Sequence, residues 1–154
     1  QAGKPEHLIF AGDIPVVQTD RGGQITYHGP GQLVAYPLVD ITRAGIAGPK
    51  EWVRLLADTL LATLAHYDVA GEYHDDAPGI YVGDAKIASI GLRLHKGRSY
   101  HGIALNTQMD LTPFARINPC GYQGQRMTQL ADFVPEVTIA EVASVWVKNT
   151  PFVS

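Results

Sequence analysis

With a single cysteine, Cys120, among 154 residues, the chain can form no internal disulfide, and its fold cannot rest on covalent staples. No apolar run is long enough to cross a bilayer, and no basic segment leads into an apolar one at the start. Those two absences predict a soluble chain with no membrane role, and the lone thiol fits a reducing, cytoplasmic compartment. Basic charge is not in surplus: a net charge of −3 lacks the basic excess that a nucleic-acid binder usually shows. Neither phosphate-cradling loop is present, since Gly-x-Gly-x-x-Gly is missing and no glycine loop ends in Gly-Lys-Ser/Thr. What is there is ordinary for a globular protein, 45% hydrophobic and 18% charged. The length suits one domain, 1–154, that buries roughly two-thirds of its unfolded surface.

The unusual stretch runs from Asp20 to Gln32. It packs Gly22, Gly23, Gly29 and Gly31 with Pro30, Arg21 and His28 between apolar segments. Glycine is costly unless the backbone needs a positive φ or a close approach. A pair of tight turns between strands accounts for the run, and so does the floor of a binding site.

Around it, Leu8-Ile9-Phe10 and Val16-Val17 read as short strands, and Gln32 to Ile41 as a longer one that Pro37 confines to an edge or a bulge. Gly48-Pro49 opens a helix whose apolar residues Trp52, Leu55, Leu56, Leu60, Leu64 and Tyr67 keep helical spacing, with Gly71 as the stop. From Gly79 to Thr107, turns at Gly83-Asp84 and Lys96-Gly97 divide β-prone segments into an antiparallel meander. Thr138 with Glu141 is a capping box that starts a last helix carrying Val142, Val145 and Trp146. Strands, a helix, more strands and a helix make an α+β domain with a mixed, largely antiparallel sheet.

Side chains able to do chemistry are few. Regular alternation from Ala85 to His95 puts Lys86 on one face with Ala88, Ile90, Leu92 and Leu94, where desolvation would disfavour its charge and make it a proton acceptor. The competing reading has Lys86 at the strand's first turn, with its ammonium reaching water. Cys120 lies between Pro119 and Gly121 in a segment without periodicity, which predicts a loop, although a lone cysteine is most often a small buried hydrophobe. An ordinary thiol of pKa ~8.5 needs a neighbouring base or cation to become a nucleophile at neutral pH. His28 and His101, each beside glycine, read as hydrogen-bonding pocket residues or as the partner of a Cys-His pair, and His66 as a helix-end surface residue. His74 precedes Asp75-Asp76, but with no second cysteine or histidine at ligand spacing no metal site is predicted. Arg93, His95, Lys96 and Arg98 make a basic cluster on a predicted hairpin tip.

Arg21-Gly22-Gly23-Gln24-Ile25-Thr26-Tyr27-His28-Gly29-Pro30-Gly31-Gln32-Leu33, then Gly79-Ile80-Tyr81-Val82, Lys86-Ile87-Ala88-Ser89-Ile90-Gly91 and Arg116-Ile117-Asn118-Pro119-Cys120-Gly121-Tyr122, follow one another across most of the chain. In that order they resemble the lipoyl(octanoyl) transferase family, which shares its fold with lipoate and biotin protein ligases. The resemblance implies transfer of an octanoyl or lipoyl group from acyl carrier protein to a lysine of a lipoyl domain through an acyl thioester on Cys120, the first step of endogenous lipoate biosynthesis. It pairs Cys120 with Lys86 as an acid/base dyad. It assigns acyl binding to Arg21, Gly22, Gly23, Gln24, Ile25, Thr26, Tyr27 and His28, to Ser89, Ile90 and Gly91, and to Gly102, Ile103 and Ala104.

No cofactor is implied beyond the phosphopantetheine that carries the donor. The implied acceptors are the lipoyl domains of 2-oxoacid dehydrogenase E2 subunits and the glycine cleavage H protein, and the basic cluster is the expected docking point for the acidic carrier. The family's N-terminal portion is expected to precede Gln1. An ATP-dependent lipoate or biotin ligase is the alternative, set against Gly29-Pro30-Gly31, which follows His28 where lipoate ligases carry an acidic residue. A non-catalytic acyl-binding or carrier-docking domain is a third reading.

Overall fold

The computed structural model describes residues 5, 8, 12–117 and 124–152. Its elements run β1 (Gln32–Ala35), α1 (Pro49–His66), β2 (Glu72–His74), β3 (Gly79–Val82), β4 (Ala85–His95), β5 (Arg98–Asn106) and α2 (Ile139–Lys148). The strands form one five-stranded sheet in the order β1-β5-β4-β3-β2, every neighbouring pair antiparallel. This is the predicted α+β arrangement. The two hairpin turns fall at the expected dipeptides, with Gly83, Lys96 and Gly97 at φ 62, 49 and 76.

Helix α1 forms because Pro49 presets its first turn and because Trp52, Leu56, Leu60 and Leu64 recur every four residues on one stripe. That stripe is buried against Ile80, Ile87, Ala88, Ile90, Ile103 and Leu105 of the sheet and against Val142 and Trp146 of α2. The indoles are satisfied inside the core: Trp52 Nε1 donates to Ser99 Oγ at 2.7 Å, and Trp146 Nε1 to Thr59 Oγ1 at 2.9 Å. Helix α2 starts on the predicted capping box between Thr138 and Glu141. The stop of α1 differs from expectation. Tyr67 caps the helix and Asp68 reverses the chain at φ 59, whereas Gly71 lies beyond the end, where a β-carbon would crowd Ile80 and Leu64.

Of the strand expected at Leu8-Ile9-Phe10, Leu8 bridges Ile117, and Ile9 and Phe10 lie outside the described residues. Two other strand predictions are corrected. Val16 and Val17 belong to no strand and are exposed, because β-prone side chains form a strand only where another strand offers its edge. The segment from Gln32 is a strand only to Ala35, and β1 sits at the sheet edge as Pro37 requires.

The predicted face of Lys86 is also corrected. In the β3–β4 ladder Ile80 pairs with Ala88 and Tyr81 with Lys86, so one step along β3 spans two along β4, and Ile87 is the extra residue of a bulge. Adjacent residues of β3 point to opposite faces, and cross-strand partners share a face. Lys86 therefore points away from Ala88 and Ile90, on the side of Tyr81. Helices cover the face of Ala88; the opposite face carries the glycine-rich stretch.

Candidate active site

The Asp20–Gln24 segment lies along β4 beyond the reach of β3. The β3–β4 ladder ends at Ser89, and the Leu92 carbonyl further along accepts the Gly22 N–H at 2.9 Å. A β-carbon on Gly22 would sit 2.8 Å from that same oxygen, so only glycine allows the approach. Arg21 folds back on its own loop, with Nη1 donating to Gly22 O at 2.9 Å and Nη2 to Gln24 O at 2.7 Å. Asp20 ties the loop to β5 by accepting from the Tyr100 hydroxyl at 2.8 Å and lying 2.9 Å from His101 Nε2, while Arg93 Nη1 donates to Asp20 O at 3.1 Å. The hydrogen bonds from His101, then Tyr100, hold the Asp20 carboxyl below its ordinary pKa, and the bond to Asp20 raises that of Tyr100. His101 takes φ 61 to make this contact, a left-handed conformation rare for a side-chain-bearing residue.

Loop and sheet enclose a cavity of about 230 Å³. Arg21, Gly22, Gly23, Gln24, Ile25, Thr26 and His28 line it from the loop, Lys86, Ser89, Ile90 and Gly91 from β4, and Gly102, Ile103 and Ala104 from β5. All the residues that the resemblance assigned to acyl binding thus surround one space, except Tyr27. Tyr27 instead packs edge-on against Phe114, with centroids 5.4 Å apart, beside a second cavity of about 250 Å³ on the other flank of the loop. Cys120 lies outside the described residues.

Lys86 is 1% exposed, which rules out the reading in which its ammonium reaches water. Its Nζ lies 5.9 Å from the centre of the Tyr81 ring, and Gly79 makes room for the side chain: a β-carbon there would fall 2.5 Å from Lys86 Cε. The Lys86 N–H donates to Arg126 O at 2.8 Å, and its carbonyl accepts from Thr128 N at 2.9 Å, so residues 126–128 are fastened beside the lysine. His28 stands at the cavity rim with Nδ1 2.8 Å from Gln32 Oε1. Desolvation lowers its imidazole pKa, the Gln32 bond opposes this, and the Arg21 guanidinium adds to the lowering. His66 is an exposed helix-end residue, and His74 stacks on Tyr81 at 4.2 Å.

The model of the lipoyl protein ligase A/B catalytic domain matches residues 6–150. The chain belongs to that family. Its relatives include the octanoyltransferase of Hahella chejuensis, 59% identical over 97% of this chain and 66% of that protein. The octanoyltransferase of Photorhabdus laumondii is 57% identical over 97% of this chain and 70% of that one. The chain therefore spans about two thirds of the length of these curated relatives. Among solved structures, lipoate-protein ligase A bound with ATP superposes with a TM-score of 0.64 at 17% identity, over 84% of this chain and 54% of that one. The biotin protein ligase of Aquifex aeolicus gives 0.60 at 16%, over 78% and 50%. At these identities the likeness is one of fold, the biotin/lipoate protein ligase fold.

Sequence reasoning missed several parts of this cavity and its surroundings. Val34, Tyr36, Val53 and Pro78 also line the cavity, and neither spacing nor motif pointed to them. The Asp20–Tyr100 bond joins residues 80 apart in sequence. Gln24 carries a further feature: its Oε1 is buried and has no hydrogen-bond partner among the described residues. A buried acceptor left unmet costs stability that a ligand N–H or O–H would recover. Gln24→Met, close in shape and without that acceptor, is expected to raise the unfolding free energy of the ligand-free protein by about 1 kcal/mol while weakening substrate use. Urea titration with a matched KM measurement checks both; a variant less stable than the parent refutes it.

Proposed function

We propose that the chain is the catalytic core of an octanoyltransferase, which moves an octanoyl or lipoyl group from acyl carrier protein to a lysine of a lipoyl domain. The observation that carries the reading is the burial of Lys86 in the wall of a cavity ringed by small residues, in a chain of this family. Gly22, Gly23, Gly91, Gly102 and Ala104 leave a slot that suits an unbranched saturated chain. The named octanoyltransferases are 54–62% identical to the chain, against 15–21% for the ligases of known structure, which favours transfer over ATP-dependent ligation.

In this mechanism Lys86 takes the thiol proton of Cys120, the thiolate attacks the octanoyl thioester, and the carrier thiol leaves with the proton from Lys86. An octanoyl-Cys120 thioester remains. The acceptor lysine then attacks it to give the amide, and Cys120 is released as a thiol. Thioester to amide runs downhill, so the protein's own residues suffice without nucleotide or metal. That residues 126–128, soon after Cys120 in sequence, are fastened to Lys86 is consistent with the dyad. Intact-mass spectrometry after mixing with octanoyl-carrier protein tests it: one added octanoyl mass is expected, absent in Cys120→Ser. No adduct on the parent protein, or an unchanged adduct on the variant, defeats the mechanism.

For the partners, the acceptors are the lipoyl domains of E2 subunits and of the glycine cleavage H protein, and the donor docks on the exposed tip of the β4–β5 hairpin. Arg93, His95, Lys96 and Arg98 are exposed there, with Arg98 3.8 Å from Asp40 and exposed Leu38 alongside. Charge complementarity with an acidic carrier acts mainly on encounter rate. Reversal of Lys96 and Arg98 to glutamate is expected to lower kcat/KM with octanoyl-carrier protein by about tenfold and to leave a small octanoyl thioester unaffected. Equal loss with both donors overturns the docking site.

A further inference from the structure

We propose that Gln32 and Asn106 hold His28 in a single tautomer, and that His28 Nε2 takes a proton from the acceptor lysine in the second half of the reaction. The proposal rests on the transfer reading for its chemistry and on a hydrogen-bond chain for its geometry. The chain begins at Thr128 O, a backbone carbonyl that can only accept. Asn106 must therefore turn its amide nitrogen toward it, and Nδ2 donates there at 3.0 Å. Asn106 Oδ1 then faces Gln32, whose Nε2 donates to it at 2.9 Å and also approaches the Tyr27 carbonyl at 3.4 Å. Two acceptors thus fix the nitrogen end of Gln32, and its Oε1 is what meets His28 Nδ1 at 2.8 Å.

An amide oxygen has no proton to give, so Nδ1 carries the hydrogen and Nε2 of the neutral ring keeps its lone pair. Gln32 and Asn106 are 8% and 2% exposed, so neither amide turns over without losing buried bonds. Thr128 also donates its N–H to the Lys86 carbonyl, so one backbone residue anchors both the relay and the lysine. Desolvation, opposed by the Gln32 bond and aided by the Arg21 guanidinium, lowers the ring's pKa.

The chemistry calls for such a second acceptor. An acceptor lysine of ordinary pKa, ~10.4, arrives as an ammonium. It must lose one proton to become a nucleophile and another as the amide forms. Lys86 passes one of the two to the departing Cys120 thiolate, which leaves as a thiol. The other is surplus, and His28 Nε2, lining the same cavity, takes it and yields it to solvent. The unmet Gln24 Oε1 in that wall supplies a further acceptor for an ammonium N–H.

Long-range proton–nitrogen NMR of the intact protein, with His28 assigned by its loss in His28→Gln, is expected to show Nδ1 protonated and Nε2 bare. A ring protonated on Nε2 overturns the relay whatever the reaction proves to be. Rapid-quench measurement of the two half-reactions, with octanoyl-carrier protein and a lipoyl domain, then tests the base. His28→Gln is expected to slow aminolysis of the acyl-enzyme by about 100-fold more than it slows acyl-enzyme formation. Gln32→Glu, which sets a carboxylate against Nδ1, is expected to move the acid limb of aminolysis upward by about one pH unit. Equal slowing of both halves by His28→Gln, or an unmoved limb in Gln32→Glu, overturns the proposal. A parent protein that takes no octanoyl group defeats the transfer reading and the base role with it, while the tautomer measurement still judges the relay.

Discussion

Replacing Lys86 with methionine is expected to leave the protein folded and to remove nearly all of its transfer activity. Lys86 is 1% exposed, and methionine fills the same elongated space beside Gly79 and the Tyr81 ring without a charge. The chemical step fares differently. Loss of a positioned base costs ~10²–10⁴-fold in rate, about 3–5 kcal/mol of barrier. Thermal unfolding followed by circular dichroism, with octanoyl transfer measured on the same preparation, separates the two effects. A folded variant that keeps more than about a tenth of the parent rate removes Lys86 from the mechanism. The pairing of intact fold with lost activity is diagnostic, because a merely structural lysine would give the reverse.

Trp52→Ala is expected to destabilise the protein by about 3–5 kcal/mol, a large share of the roughly 5–15 kcal/mol available to a domain of this kind. Trp52 is wholly buried, packs edge-on against Phe152 with centroids 4.7 Å apart, and joins α1 to β5 through its bond to Ser99. Truncation opens a cavity and also leaves the buried Ser99 hydroxyl without its donor. Trp52→Phe separates the two contributions: it keeps most of the ring volume and loses the hydrogen bond, with an expected cost of about 1–2 kcal/mol. Equilibrium urea titration of both variants measures them. A cost below about 1 kcal/mol for Trp52→Ala means that α1 does not depend on this contact.

The elements that the sequence displays are those specified by near neighbours along the chain. The four-residue recurrence of Trp52, Leu56, Leu60 and Leu64 needs no partner to be recognised, and neither does the Thr138–Glu141 box or either hairpin dipeptide. Where pairing decides, the sequence is mute. Val16 and Val17 have the composition of a strand and, among the described residues, no strand beside them, while Ile87 looks like any alternating residue until its register against Ile80 is known. The site divides in the same way. The segments 21–28, 89–91 and 102–104 stood out by motif resemblance, and the sheet gathers all of them but Tyr27 around one cavity. The amide relay behind His28 had no local sign, since Gln32 and Asn106 are 74 positions apart.

The bulge at Ile87, rather than the type of residue at 86, decides to which side of the sheet the Lys86 amine goes. Were the same residues to alternate strictly with no bulge, Lys86 would share the face of Ala88 and its amine would turn inward among the leucines of α1, with the glycine-rich loop left facing a bare wall. The strand register between Val82 and Ser89 is thus as much a part of the cavity wall as the lysine it aims.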